Sequence, residues 1–217
     1  MKIARRAKIT IVVDTKLVKS AGEHWVSGVL SGLGWAAALT RDGIARTDVL
    51  AVNSATGQMI DVQVKAASFG NRVSFMLGEK GCDPSRSDHE WYVLVALARE
   101  AWAQPRAFVV PRDHVAAANW IRHMEWQTNP TVPPGKRNTG IKGARIDDWV
   151  FARYEQRWDL LNSASMDAPV MLPPRFRDWA SGDRVGLRDD HPWNHDLPEW
   201  DRSEASSSWP DWAVNNR

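Results

Sequence analysis

The sequence predicts a mixed α/β fold, a β-sheet flanked by helices with a helical and irregular C-terminal extension. Three observations carry this expectation. Residues 46–66 (RTDVLAVNSATGQMIDVQVKA) divide into two alternating apolar runs, Thr47 to Asn53 and Met59 to Ala66, around Ser54-Ala55-Thr56-Gly57, which reads as a hairpin. Trp91 to Ala98 (WYVLVALA) is continuously apolar, as in a strand buried on both faces. Helical spacing occurs on either side of these strands, at Val26, Val29, Leu30 and Leu33, and at Val115, Ala118, Trp120 and Ile121.

The elements follow in order. The start, MKIARRAKITIVV, places basic residues before an apolar run (Ile9 to Val13) that is too short for a signal-peptide core. Its Arg5, Arg6 and Lys8 read either as a solvated terminus or as contacts to DNA phosphates. Ser20-Ala21-Gly22-Glu23 opens the first helix, and Ser-x-x-Glu is the capping-box pattern. Trp35 to Thr40 reads as a strand ended by an Arg41-Asp42-Gly43 turn, and the hairpin follows. Arg72 to Leu77 is a short strand, Gly78 to Asp88 a turn-rich loop, and Trp91 to Ala98 the central strand. After Gln104-Pro105 comes a buried strand, Ala107 to Val110, closed by Pro111. Asp113 then caps a helix running to about Gln127.

Residues 128–145 form a Pro/Gly-rich loop carrying Lys136, Arg137, Lys142 and Arg145, either a solvated connector or a track for a phosphate backbone. Ile146 to Leu161 reads as a helix with Trp149, Val150, Arg153, Tyr154, Arg157 and Trp158 on one partly aromatic side. The remainder is rich in Pro, Asp and Trp, including Trp179, Trp193, Trp200, Trp209 and Trp212. Such tryptophans anchor a tail across the body or stack on unpaired bases. His191 and His195 flank Pro192 and receive no role. The organisation expected is a core over 1–127, the basic loop over 128–145, and an extension over 146–217.

Composition narrows the function classes. With 217 residues, 43% apolar and 25% charged, the chain can bury a sizeable core. A net charge of +2 gives no overall basicity, so any nucleic-acid partner must be met by a local patch. Cys82 is the single cysteine, which excludes an intramolecular disulfide framework and a Cys-rich zinc site and points to a reducing, cytoplasmic setting. No stretch reaches the roughly 20 apolar residues of a membrane span.

The hairpin also carries chemistry. With a four-residue loop, Asp48 faces Gln63, while Val49 with Val62 and Ala51 with Ile60 share the apolar face. A two-residue Thr56-Gly57 turn would pair Asp48 with Lys65 and keep the same faces. Opposed Cβ atoms lie roughly 4.5–5.5 Å apart, so Asp48, Gln63 and Lys65 can meet on one patch. Burying a carboxylate, an amide and an ammonium unpaired is costly, and a hard divalent cation is one reason to do so. Mg²⁺ takes oxygen ligands from one or two carboxylates, waters and substrate phosphate. Glu23, on the edge of the first helix's apolar stripe, is an available second carboxylate.

A glutamate in a first helix, an aspartate at a strand and an x-Lys tripeptide on the paired strand together resemble the PD-(D/E)XK nuclease superfamily, which includes restriction endonucleases, homing endonucleases and Holliday-junction resolvases. The matching segments are Gly22-Glu23, Thr47-Asp48 and Gln63-Val64-Lys65, with Gly34-Trp35 and Arg41-Asp42-Gly43 between them. The resemblance spans about residues 15–127. It implies a restriction-endonuclease-like mixed sheet, with Glu23 and Asp48 as ligands for Mg²⁺ (or Mn²⁺), Gln63 as a further ligand and Lys65 as the catalytic lysine. It also implies DNA as substrate and, for an enzyme cutting both strands, a homodimer. Thr47 replaces the family's proline. Gln63 replaces its acidic residue, which removes a negative charge and weakens metal affinity in the absence of substrate phosphate. Three functions stand open: a Mg²⁺-dependent DNA endonuclease, a nuclease-fold subunit that binds DNA or assembles without cleaving, and an unrelated α/β domain in which Asp48 and Lys65 pair on the surface.

Overall fold

The protein is described by a computed structural model that covers residues 14–41, 46–68, 72–100, 103–201 and 209–214. Arg5, Arg6, Lys8 and the Asp42-Gly43 part of the first turn lie outside the described residues.

Helix α1 (Thr15–Gly32) begins ahead of the Ser20 start expected from the capping-box pattern. Asp14 is its N-cap, and its carboxylate accepts from Lys16 N at 2.8 Å. Glu23 is therefore an interior residue of a longer helix, and the Ser20-x-x-Glu23 box is not formed. Val18, Gly22, Val26 and Leu30 make the buried stripe, four residues apart throughout. Leu33, expected in that stripe, is 49% exposed because it lies in the C-cap turn.

The main sheet has five strands in the order β1-β2-β3-β5-β6: β1 (Trp35–Leu39), β2 (Val49–Asn53), β3 (Met59–Ser68), β5 (Glu90–Leu97) and β6 (Arg106–Pro111). Every neighbour pair is antiparallel except β3 with β5. The hairpin takes the four-residue loop: Val49 pairs with Val62 and Ala51 with Ile60. All four are buried. Gly57, at φ 76°, supplies the left-handed residue that closes the loop, with its N–H on Asn53 O. Strand β5 is buried from Glu90 through Ala96, as its unbroken apolar run requires.

A two-stranded sheet pairs β4 (Ser74–Met76) with β7 (Arg145–Asp147). Helix α2 (Arg112–Thr128) follows β6 directly. Asp113, expected to cap this helix, is not its N-cap; Pro111 takes that position. Asp113 lies in the first turn and accepts from Ser85 N at 2.7 Å and Ser85 Oγ at 2.6 Å. The two long helices lie on opposite faces of the sheet. Gly22 of α1 meets Val64 and Ala66. Arg112 of α2 covers the ring of Tyr92, whose register partner on β3 is Gln63.

The helix expected over 146–161 does not form. Ile146 pairs with Phe75 in the small sheet, and the chain continues as 3-10 turns over Asp148–Tyr154 and Trp158–Asn162. Gln156 stands between them at φ 56°, which no helix accommodates. The apolar residues of this segment still find the core: Val150, Phe151, Tyr154 and Leu161 are fully buried in it. Trp200 joins the same core, Trp193 packs against it, and Trp209 is buried. Short helices α3 (Pro174–Ala180) and α4 (Asp211–Val214) complete the extension. No described helix is long and apolar enough to cross a membrane.

Candidate active site

Asp48 is fixed by backbone before its side chain is considered. Its N–H donates to Val62 O at 2.9 Å on one side, and its carbonyl accepts from Thr40 N at 2.9 Å on the other. The strand pairing of β2 with β3 stops at Val49 and Val62. That end leaves the next inward-facing amide of β3, Val64 N–H, without a strand partner. The Asp48 carboxylate takes it, Oδ2 accepting at 2.8 Å. The Gln63 side-chain amide donates to the same Oδ2. Asp48 and Gln63 therefore meet as the hairpin register requires.

Glu23 arrives from above. Gly22 brings α1 so close to β3 that a Cβ at this position would stand 2.6 Å from Ala66 Cβ and 3.6 Å from Val64 Cγ1. The next residue along the helix is Glu23, half-buried at the sheet margin. Lys19, one turn earlier, places Nζ 3.2 Å from Glu23 Oε1 and 4.0 Å from Asp48 Oδ1. One ammonium thus spans both carboxylates. Glu23 Oε1 is buried yet receives no well-aligned hydrogen bond. Burial raises the Glu23 carboxyl above its ordinary pKa, a shift opposed by Lys19 and reinforced by the Asp48 carboxylate.

Lys65 shares the Gln63 face of β3, two residues on. Burial lowers its ammonium below the ordinary lysine value, against the attraction of Asp48 and with the help of Lys19, Arg112 and Lys80. It makes no ion pair of its own among the described residues. The four residues singled out from the sequence therefore gather at one margin of the sheet: Asp48 and Gln63 in contact, Glu23 joined to Asp48 through Lys19, and Lys65 within the field of Asp48.

Two features were missed by sequence reasoning. Lys19 is the first, although its i,i+4 spacing to Glu23 was a usable signal. The second is a buried network next to Asp48. Arg112, 2% exposed, sets Nε 2.5 Å from Glu90 Oε2 and donates to Arg46 O at 2.8 Å and Tyr92 Oη at 3.3 Å. Arg46 reaches the same Glu90 oxygen at 2.8 Å and Pro84 O at 2.7 Å, with its backbone at φ 78°. Burial pushes the Glu90 carboxyl up, but hydrogen bonds from Arg46 and Arg86 N–H, with the charge of Arg112, outweigh it and hold the carboxyl below its ordinary value. The network locks the strained residue two positions before Asp48, and no local pattern announces it.

Of the basic loop, Lys136, Lys142 and Arg145 are exposed, while Arg137 is half-buried and donates to Gln127 O at 3.0 Å. None of the four pairs with a carboxylate among the described residues. His191 is buried, with Nε2 3.0 Å from Asp113 O and Nδ1 accepting from Trp193 N. Among the described residues no group of three or more His, Cys, Asp or Glu side chains is placed to hold a metal ion. No family model matches the chain, and no curated protein or solved structure matches it either.

Proposed function

We propose that the protein is a Mg²⁺-dependent DNA endonuclease of the PD-(D/E)XK kind, with Glu23, Asp48, Gln63 and Lys65 as its site. What carries the reading is the meeting of Asp48 with Gln63 at the end of the hairpin, beneath a helix that brings Glu23 to the same place. The donor set suits a hard cation: two carboxylates and an amide oxygen, of which Glu23 Oε1 is buried with the Lys19 ammonium, 3.2 Å away, beside it. Glu23 and Asp48 would hold Mg²⁺ or Mn²⁺, and Gln63 would turn its amide oxygen inward. When bound, such an ion polarises a phosphodiester oxygen and lowers the pKa of water. Lys65 shares the Gln63 face of β3 and feels the charge of Asp48, and its ammonium would stabilise the charge that develops on the phosphate. Partial burial strengthens that interaction by excluding water.

Purified protein is incubated with plasmid, linear and branched DNA, with Mg²⁺, Mn²⁺ or EDTA. Cation-dependent strand breaks that vanish in Asp48→Asn and Lys65→Met are the expected result. Full activity in Lys65→Met would show the wrong site has been chosen, even if DNA were cut.

One observation favours a second reading, a nuclease-fold subunit that binds DNA or assembles without cutting. Asp48 Oδ2 is satisfied from within the chain, by Val64 N–H and the Gln63 amide, and Lys19 offsets the charge of both carboxylates. Absence of cleavage together with retained DNA binding would support it.

A further inference from the structure

We infer that the C-terminal half of α2 carries a binding site for an unpaired nucleic-acid strand, taking one nucleotide in each of two adjoining cavities. The first cavity, of about 400 Å³, is lined by Arg72, Ser74, Arg122, His123, Trp126 and Arg145 among others. The second, of about 350 Å³, is lined by Arg122, Glu125, Trp126, Asn129, Val132 and Trp179. Both fall at the lower end of the roughly 300–1,000 Å³ range of ligand pockets, a size for single nucleotides. Arg122 and Trp126 form the wall they share.

The chemistry of the lining selects the ligand. His123 is 7% exposed, lines the first cavity and has no hydrogen bond among the described residues. Its ring nitrogens are not fully enclosed, so they are open to a ligand in that cavity. The charge around it is in positive excess. Arg72 forks onto Asp147 at 2.8 and 2.5 Å, and Arg122 and Arg184 share Glu125 at 3.1 and 3.9 Å. Arg145 adds a further guanidinium whose described contact is Ser74 Oγ at 3.4 Å. The two linings thus hold three guanidiniums, Arg72, Arg122 and Arg145, against two carboxylates, Asp147 and Glu125, and the guanidinium without a carboxylate partner among the described residues is the one that attracts phosphate. Half-buried indoles, Trp126 in both cavities and Trp179 in the second, supply planar surfaces for bases. Guanidiniums interleaved with aromatic platforms are what a single strand requires, because its bases are free to stack on protein. A duplex keeps its bases inside and cannot enter either cavity.

The site is separate from the carboxylates. Arg112, at the start of α2, lies near Lys65, and Trp126 is about 20 Å farther along the helix axis. Binding there does not require cleavage at Asp48, so it is tested without a cation.

The test uses a short fluorescein-labelled oligothymidylate in EDTA, followed by anisotropy, with unlabelled duplex and inorganic phosphate as competitors. Trp126→Ala is expected to weaken binding about tenfold, the effect of losing one stacking platform. Trp126→Phe, which keeps a ring, is expected to restore most of it. Arg145→Gln is expected to reduce the slope of log affinity against log salt by about 0.7, the value for one single-strand phosphate contact. Circular dichroism checks that each variant is folded. The inference is overturned if folded Trp126→Ala binds as the wild type does, if duplex competes as well as single strand, or if phosphate alone displaces the strand at equal concentration.

Discussion

Replacing Gly22 with alanine sets two physical effects against each other, and their sign tests how α1 seats on the sheet. In an exposed helix interior, alanine is favoured over glycine by about 1 kcal/mol. Here the added methyl would stand 2.6 Å from Ala66 Cβ, where carbons at rest lie about 3.5–4.0 Å apart. The helix or β3 must therefore yield by about 1 Å, and overpacking of this kind costs about 1–3 kcal/mol. Net destabilisation of up to about 2 kcal/mol is expected from urea unfolding at neutral pH, measured as a lower midpoint with unchanged slope. Ala66→Gly removes the obstructing atom. The Gly22→Ala/Ala66→Gly double variant should then be more stable than the sum of its singles by about 1–2 kcal/mol. The same shift displaces Glu23, so any cleavage activity should fall by up to about 100-fold, the usual cost of a 1 Å misplacement. Stabilisation of Gly22→Ala by the full helix-propensity increment, with no coupling to Ala66, would refute the close approach and the placement of Glu23 with it.

Further predictions concern the titrating groups. Lys65 has a lowered pKa, so between its folded value and 10.5 the unfolded chain holds more protons and stability rises with pH. Below that window the buried ammonium is a constant cost, and Lys65→Met should gain about 1 kcal/mol at pH 7, with loss of any cleavage activity if the proposed site is the right one. Glu23 has a raised pKa, so the native state holds the extra proton and stability falls as pH climbs from 4.5 through the folded value. Glu23→Gln should remove that fall, seen as a melting temperature higher than wild type at pH 7 and converging with it in acid. His114, fully enclosed, is held down to about 3 by burial first and then by His191. Its contribution is intact above 6.5 and is lost toward pH 3, at about 1.4 kcal/mol per pH unit. Tyr154→Phe should cost about 2–4 kcal/mol, because Met171 N–H (2.7 Å) and His114 Nδ1 (2.8 Å) both lose their partner; a loss under half of that would contradict the bond network.

The hairpin was readable because its information is local. Alternation of Val49 and Ala51 against Ile60 and Val62 admits a single set of faces, and the four-residue loop sets the register. The buried run of β5 was readable for the same reason. The 146–161 segment misled because its aromatic spacing satisfies a helical face, while the decisive interaction, Ile146 with Phe75, joins positions far apart in sequence. Asp113 was read as a cap because Ser85, which captures its carboxylate, comes from another loop. At the candidate site the pattern singled out Glu23, Asp48, Gln63 and Lys65, which the fold brings to one margin of the sheet. The ionic framework of Arg46, Glu90 and Arg112 escaped it, since its members have no shared period and meet only after the sheet has closed.

The central claim is that Glu23, Asp48 and Gln63 surround one cation. Titration with Mn²⁺, followed by electron paramagnetic resonance of the free ion, addresses it directly. One ion should bind weakly to the protein alone, as Gln63 in place of an acid implies, and more tightly once DNA is added. Asp48→Asn should remove that ion and leave the fold intact. Equal Mn²⁺ binding by Asp48→Asn and wild type, with DNA present, would contradict the account.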